Sequence, residues 1–422
     1  MSSNLLHTPE GVRDIYNAEC ERKIRLQHNI HNVLKLHGFK DIQTPTFEFE
    51  DIFSKERGSV SAKDMYKFVD RQGYTLVLRP DITPSIARCV AKYYKDEKMP
   101  IRLSYIGSTF INSSSYQGKL SENTQIGAEL INDSSIQAEG EMLAITIEAL
   151  LTSGLKEFQV EIGHVDFFHG LVDEAGFNHE EEIELRDLIE EKNIFGIERL
   201  IEGKDISADL KEVFYNLAEL FGTLDVLSKA KELTNNERSL NAIKHLKQLY
   251  DILKIYGLEK YITFDLGMLS KYNYYTGIIF KAYTYGTGDT IAGGGRYDNL
   301  IGQFGKEAPS IGLAIMVDEL MLALSRQKLE AVAKKNTLLL YEESLLEEGI
   351  HLATYFRKTA LPIELLAKED KYNIEDYLSY GKRMNIGGIL YLQSPKKVQV
   401  YDIKKATKNE ILIEDLMLGD DQ

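Results

Sequence analysis

Residues Tyr105–Ile131 read YIGSTFINSSSYQGKLSENTQIGAELI. The stretch opens as an extended segment, crosses a Ser/Asn/Gly loop, and from Thr124 to Ile131 alternates apolar and polar residues as a half-buried strand does. On that returning strand Gln125, Gly127 and Glu129 share one face, and Ile126, Ala128 and Leu130 the other. A polar face with a glycine at its centre leaves room for a small ligand. The loop before it, Ser108–Gln117, holds no charged residue at all. One half of a binding surface is therefore written into the strand, while the other half is blank.

The chain around this stretch has 422 residues, which is long for one simple core, and two or three domains are expected. Hydrophobic content of 43% and a mean hydropathy of -0.26 describe a soluble globular protein. No apolar run approaches the roughly 20 residues of a membrane span, and the opening MSSNLLHTPEGVRD lacks the apolar stretch of a secretory signal. The two cysteines, Cys20 and Cys89, suit a reducing compartment and have no metal-type spacing, so a cytoplasmic location is expected. A net charge of -15 argues against a long footprint on nucleic acid, although a local basic patch can sit on an acidic protein.

Taken in order, ERKIRLQHNIHNVLKLHG predicts a helix with Ile24, Ile30, Val33 and Leu34 on one stripe and Gly38 at its C-terminal cap. His28 and His31 lie on it without a further metal ligand nearby and read as a solvated face. FKDIQTPTFE is a strand interrupted by Pro45, which marks an edge or an interface. MYKFVDRQGYTLVL reads as a hairpin turning at RQG, running into RPDITPSIAR. There a helix begins near Thr83 and Pro84, with the threonine hydroxyl at the cap position and the first N–H groups facing Asp81. On these residues alone, Asp81 and Thr83 are either helix caps or ligand groups.

SIQAEGEMLAITIEALLTSGL follows as a long helix and FQVEIGHVDFF as a strand. Residues from about 170 to 259 are mostly helical and charged, with no site-like pattern. YITFDLG, YNYYTGIIFKAYT and IAGGGRYDNLIGQFG then read as sheet strands whose backbone something approaches closely. Gly293–Gly295 lacks the Gly-Lys-Ser/Thr of a phosphate loop and opens no helix. Beyond a linker near Lys328–Asn336, alternating strands and helices form a small three-layer α/β domain.

Several segments in this order resemble the class II histidyl-tRNA synthetase family: TPEGVRDI, GFKDIQTPTFE, MYKFVDRQGYTLVLRPDIT, YIGSTF with QIGAE, YYTGIIF, GGRYDNL and PSIGLAI. The resemblance implies an α+β core over residues 1–327, built on an antiparallel sheet with flanking helices, dimerising around Pro45 and carrying a helical insertion at about 170–259. It also implies a small anticodon-binding-like α/β domain over residues 336–422, similar in YLSYGKRMNIGGILYLQ and VQVYDIKKATKNEILIEDL.

In that family an arginine after the strand of Tyr105 grips ATP and the reacting carboxylate, with a glutamate two residues on; here Ile111 and Ser113 stand there. Two further arginines correspond to Ser270 and Glu319. Asp81, Thr83, Gln125, Glu129, Tyr274, Tyr275 and Tyr297 stand at or near the positions that hold histidine in that family, with Asp81 where the synthetases usually carry Glu; for Tyr274 and Tyr297 core packing is the competing reading. This pattern is similar to the non-catalytic paralogues that regulate short-form ATP phosphoribosyltransferase. It implies a short catalytic subunit as partner, L-histidine as feedback effector, a homodimer within a hetero-oligomer, and no cofactor or metal.

The readings that compete with it are an active synthetase and a synthetase-like protein bound to another protein or to tRNA. From Asn336 onward, 11 Lys and Arg face 15 Asp and Glu, a net of -4 that disfavours tRNA.

Overall fold

The computed structural model describes residues 6–53, 60–112, 120–190, 193–204, 206–269, 274–329 and 335–418. Ser113 and Ser270, two of the positions that stand where the synthetases carry charged side chains, lie outside the described residues. The chain divides into two compact units, Met1–Asp14 with Lys23–Glu330, and Ile15–Arg22 with Ala331–Gln422.

In chain order the first unit runs α1 (Asn17–Leu36, of which residues 17–22 group with the second unit), β1 (Lys40–Asp41), β2 (Phe47–Phe49), β3 (Lys67–Val69), β4 (Thr75–Leu78), α2 (Thr83–Tyr93), β5 (Ile101–Phe110), β6 (Glu122–Ile131), α3 (Ile136–Thr152), β7 (Gln159–His164) and α4 (Val165–Ala175). A helical segment follows: α5 (His179–Glu190), α6 (Ile194–Glu202), α7 (Ala208–Asn216), the short β8 (Phe221–Gly222), α8 (Asp225–Leu233) and α9 (Glu237–Ile255). The unit closes with β9 (Ile262–Asp265), β10 (Ile278–Tyr283), β11 (Ala292–Arg296), β12 (Ser310–Met316) and α10 (Val317–Arg326).

Nine of these strands form one sheet in the order β1-β5-β6-β12-β11-β10-β7-β9-β8. Its centre is antiparallel; β1 with β5 and β7 with β9 are the parallel pairs. The period-two pattern of β6 is realised, with Ile126, Ala128 and Leu130 entering the main apolar core alongside α3 and α9. The other face carries Glu129 and, in register across the sheet, Gly312, Gly295, Ile279 and Gly163. Missing Cβ atoms keep this face low, and a methyl group on Gly312 would overlap the Glu129 carboxylate.

A buried polar cluster ties the sheet to its helices. Glu139 on α3 accepts from Arg296 Nε and, at 2.5 Å, from His245 Nε2 on α9. Arg296 also donates to the carbonyls of Asp133 and Ser135, at 3.0 and 3.2 Å. Burial works against ionised Glu139, yet His245 and Arg296 hold its carboxyl below the ordinary value. Beside them His164 is pushed down to about 4, by burial first and then by the charge of His245.

Three expectations need correction. Ile24 is 60% exposed, and Leu26 takes its place on the buried stripe of α1, because the helix faces the core on the i, i+4, i+7, i+8 positions that begin at residue 26. The FQVEIGHVDFF strand stops at His164, whose side chain caps α4, so VDFF is helical. Thr83 does not cap α2. The Asp81 carboxylate takes the N–H groups of Ile82 and Thr83, at 2.7 and 3.3 Å, which leaves the threonine hydroxyl for other work.

A small sheet, β2-β4-β3, projects from this unit on the hairpin at Arg71–Gly73. The buried Arg79 guanidinium donates to the carbonyls of Ser108 and Thr44, at 2.8 and 2.9 Å, which fixes it under Gly107.

In the second unit β13 (Thr337–Tyr341), α11 (Leu346–Lys358), β14 (Ile363–Ala367), α12 (Ile374–Arg383), β15 (Gly388–Ser394), β16 (Lys397–Asp402), β17 (Thr407–Leu412) and α13 (Ile413–Leu418) follow one another. They build a five-stranded sheet, β14-β13-β15-β16-β17, with an apolar cluster on each face.

Candidate functional site

The face of β6 that carries Glu129 meets the N-terminus of α2 and the tyrosines flanking β11. Thr83 Oγ1 donates to Glu129 Oε1 at 2.8 Å, and the Tyr297 hydroxyl donates to Oε2 at 2.5 Å. The Tyr274 hydroxyl donates to Asp81 Oδ2 at 3.1 Å, while Asp81 Oδ1 is occupied by the helix N–H groups. Asp81, Thr83, Glu129, Tyr274 and Tyr297 thus form one connected set. The rings of Tyr274 and Tyr275 lie 5.0 Å apart and those of Tyr274 and Tyr297 6.0 Å apart.

Gln125 stands four residues before Glu129 on the same face of β6, outside that set. Its Oε1 is buried with no hydrogen-bond partner among the described residues. An acceptor left so costs about 1–3 kcal/mol, which a bound donor would recover.

Glu129 is 1% exposed. Burial pushes its carboxyl up to about 8; the Tyr297 and Thr83 hydroxyls pull the other way, and the nearby Asp81 charge adds to the rise. Burial likewise raises the hydroxyls of Tyr297 and Tyr105 well above the ordinary phenol value. The site is thus two interacting acids under phenolic hydroxyls, suited to cationic or N–H groups rather than anions.

Two features escape sequence reasoning. Gly127 is not open floor: Tyr105, its partner in register on β5, lays its ring over it, so the glycine makes room for an aromatic side chain of the protein itself. Second, the helical stretch that looked featureless supplies Arg238 to a cavity that adjoins the set at Tyr274. A cavity of about 420 Å³ is lined by Tyr274, Tyr275, Asn299 and Gln303 together with Asp166 and His169 from α4 and Arg238 from α9. Arg238 holds Asp166 through Nε at 2.7 Å and Asp173 through Nη1 at 2.8 Å. The signal available in the sequence was Arg238 at the start of a helix opposite acidic α4, too common a pattern to mark a site.

A glycine-rich antiparallel sheet flanked by helices, with acids and tyrosines gathered on its open face, defines a class II synthetase-type core. The family model described as histidyl-tRNA synthetase matches residues 11–320. An ATP phosphoribosyltransferase regulatory subunit from Acetivibrio thermocellus is 38% identical over 413 residues, 98% of each chain. Its namesake from Ruminiclostridium cellulolyticum is 39% identical over 419 residues, 99% of each. A solved structure from Bacillus halodurans C, described as an ATP phosphoribosyltransferase regulatory subunit/histidyl-tRNA synthetase, superposes with a TM-score of 0.81 at 31% identity, covering 92% of this chain and 98% of that one. The chain belongs to the ATP phosphoribosyltransferase regulatory subunit family, a branch of the histidyl-tRNA synthetase fold.

The raised Glu129 value has a consequence for stability. The unfolded chain ionises this acid near 4.5 and the folded chain near 8, so between those values the folded form keeps a proton the unfolded form has lost. Its contribution is fully present below the lower value and drains away as pH rises, by up to about 1.4 kcal/mol per pH unit. Glu129→Gln removes that slope. Thermal melts are expected to coincide near the lower pH and to favour the variant progressively toward the higher one. Parallel wild-type and variant curves across the window would contradict the assignment.

Proposed function

We propose that this chain is the non-catalytic regulatory subunit of a short-form ATP phosphoribosyltransferase, serving the first step of histidine biosynthesis, and that L-histidine feeds back through it. The observation that carries the reading is the one-sided site. Asp81, Thr83, Gln125 and Glu129 present acceptors and hydroxyls suited to an ammonium group and an imidazole N–H, and Tyr274, Tyr275 and Tyr297 supply aromatic walls.

The nucleotide side lacks the matching cations. Ile111 follows β5 where the synthetase resemblance calls for arginine, and Glu319 stands in the first turn of α10 beside Asp318, in the place of another. Asp318 itself is spent on Lys23 at 2.6 Å and on the Thr124 N–H at 2.7 Å. Adenylate formation builds negative charge that preorganised cations must meet, and losing one such donor costs about 10² to 10³ in rate. A pocket of this kind holds histidine without activating it.

The name shared by the relatives supports the catalytic subunit as partner. The C-terminal unit is no obstacle, because the Acetivibrio relative matches over 98% of its own length. We read that unit as the anticodon-binding-like domain of residues 336–422; its net negative charge disfavours a tRNA ligand. No helix among the described residues is long and apolar enough to cross a membrane, in keeping with a cytoplasmic role.

Within the assembly we propose a homodimer through the β2-β4-β3 sheet. Phe47 and Phe49 are 53% and 51% exposed, and the ring pairs Phe47–Phe68 and Phe49–Tyr74 sit 5.8 and 5.7 Å apart on that surface. Sedimentation of Phe47→Asp is expected to show monomers where the wild type shows dimers; a dimer that survives the substitution moves the interface elsewhere.

Feedback requires histidine to bind the inhibited assembly more tightly than the active one. Activity is therefore expected only when the chain is mixed with its catalytic partner, and histidine should suppress it. Asp81→Asn combined with Glu129→Gln should leave the complex active while raising the inhibition constant at least about tenfold. Equal inhibition constants for the two forms would remove the sensor role, and failure of the wild-type proteins to assemble would favour a different partner.

A further inference from the structure

The retained half-pocket leaves one part of the effector unanswered. L-Histidine carries a carboxylate, and the groups gathered at Asp81, Thr83, Gln125 and Glu129 address its ammonium group and its ring. We propose that Arg238, on the helical insertion, anchors that carboxylate and so sets the specificity of the site for the whole amino acid; the inference rests on the histidine reading above.

The cavity carries the argument. Arg238 lines the same chamber as Tyr274 and Tyr275, and Tyr274 is the residue that holds Asp81. A volume of about 420 Å³ between the tyrosine pair and α9 is large enough for the carboxylate end of an amino acid whose other end meets the Asp81 side of Tyr274. The guanidinium has five donors. Asp166 engages Nε at 2.7 Å and Nη2 at 2.5 Å, and Asp173 engages Nη1 at 2.8 Å, so the Asp pair orients the group and leaves donors in hand. Its side chain is 46% exposed, which keeps the charge reachable.

Among the described residues, three other cations of this region are committed. Arg79 is spent on the carbonyls of Ser108 and Thr44, Arg296 on Glu139 across the sheet, and Lys306 on the Glu97 carbonyl at 2.5 Å. Lys281 lies on the open face opposite Gly293 and Glu161 but does not line the cavity, and serves as the comparison.

The carboxylate must share Arg238 with Asp166, which repels it. That tempers the affinity, as suits an effector that has to leave when its concentration falls. The same helix carries His245 seven residues on, bonded to Glu139 and through it to Arg296, the neighbour of Tyr297. A ligand on Arg238 therefore bears on the helix that braces β11.

The test is calorimetry on the full-length chain with L-histidine and with L-histidinol, in which a hydroxymethyl group replaces the carboxylate. For the wild type, histidine should bind more tightly. Arg238→Gln should weaken histidine by about ten- to a hundredfold, the worth of a charge-assisted hydrogen bond, and leave histidinol unchanged. Asp173→Asn and Lys281→Gln should both keep the wild-type preference.

Retention of the preference in Arg238→Gln would overturn the anchor while the histidine site stands. So would equal loss of both ligands in that variant, or the same loss in Asp173→Asn, which would mark Arg238 as a helix clasp. A wild type that binds neither ligand would overturn the inference together with the reading beneath it.

Discussion

A carboxylic acid buried under two hydroxyls, with no cation among its hydrogen-bond partners in the described residues, is the constraint on which this site depends. Glu129 sits on a sheet face from which Gly312, Gly295 and Gly163 have withdrawn their side chains, and Thr83 and Tyr297 close over it. Burial favours its protonated form, so Glu129 stands as a neutral acid beside Asp81 rather than as a second bare charge. A cationic group arriving there meets acceptors already in place.

The arginines of this region are structural or belong to the insertion. Arg79 fastens the small aromatic sheet to the end of β5, and Arg296 fastens β11 to α3 and, through Glu139, to α9. These guanidiniums are buried at 6% and 5% exposure and spend their donors on carbonyls, the Thr44 hydroxyl and the carboxylates of Glu139 and Asp298, so neither is available to a phosphate. Ile111 and Glu319 stand where the resemblance to the synthetases calls for arginine. The fold is that of a class II synthetase core, carried here by a chain of the regulatory-subunit family.

Much of this was legible in the sequence, for identifiable reasons. The alternation from Gln125 to Leu130 is a strictly local signal, and it fixed both the buried face and the placement of Glu129. The tyrosine- and glycine-rich stretches announced close backbone approach, as β10 and β11 then display. What was not legible depended on register. That Tyr105 covers Gly127 follows from the pairing of β5 with β6, which no local pattern specifies. That Thr83 serves Glu129 rather than its own helix depends on where α2 sits over the sheet, and Asp81 takes the capping role only once it is there. Arg238 was hidden for the same reason: its nearness to Tyr274 spans more than thirty positions and is purely tertiary. Ile24 was misassigned because an apolar stripe on α1 can be drawn from either of two neighbouring turns.

The central claim is that histidine is bound here and never activated. It is tested most directly by measuring histidine affinity with and without saturating Mg-ATP, alongside histidine-dependent pyrophosphate exchange. The account predicts the same dissociation constant in both conditions and no exchange. Tighter histidine binding in the presence of Mg-ATP, with exchange within about a hundredfold of a working synthetase, would contradict it.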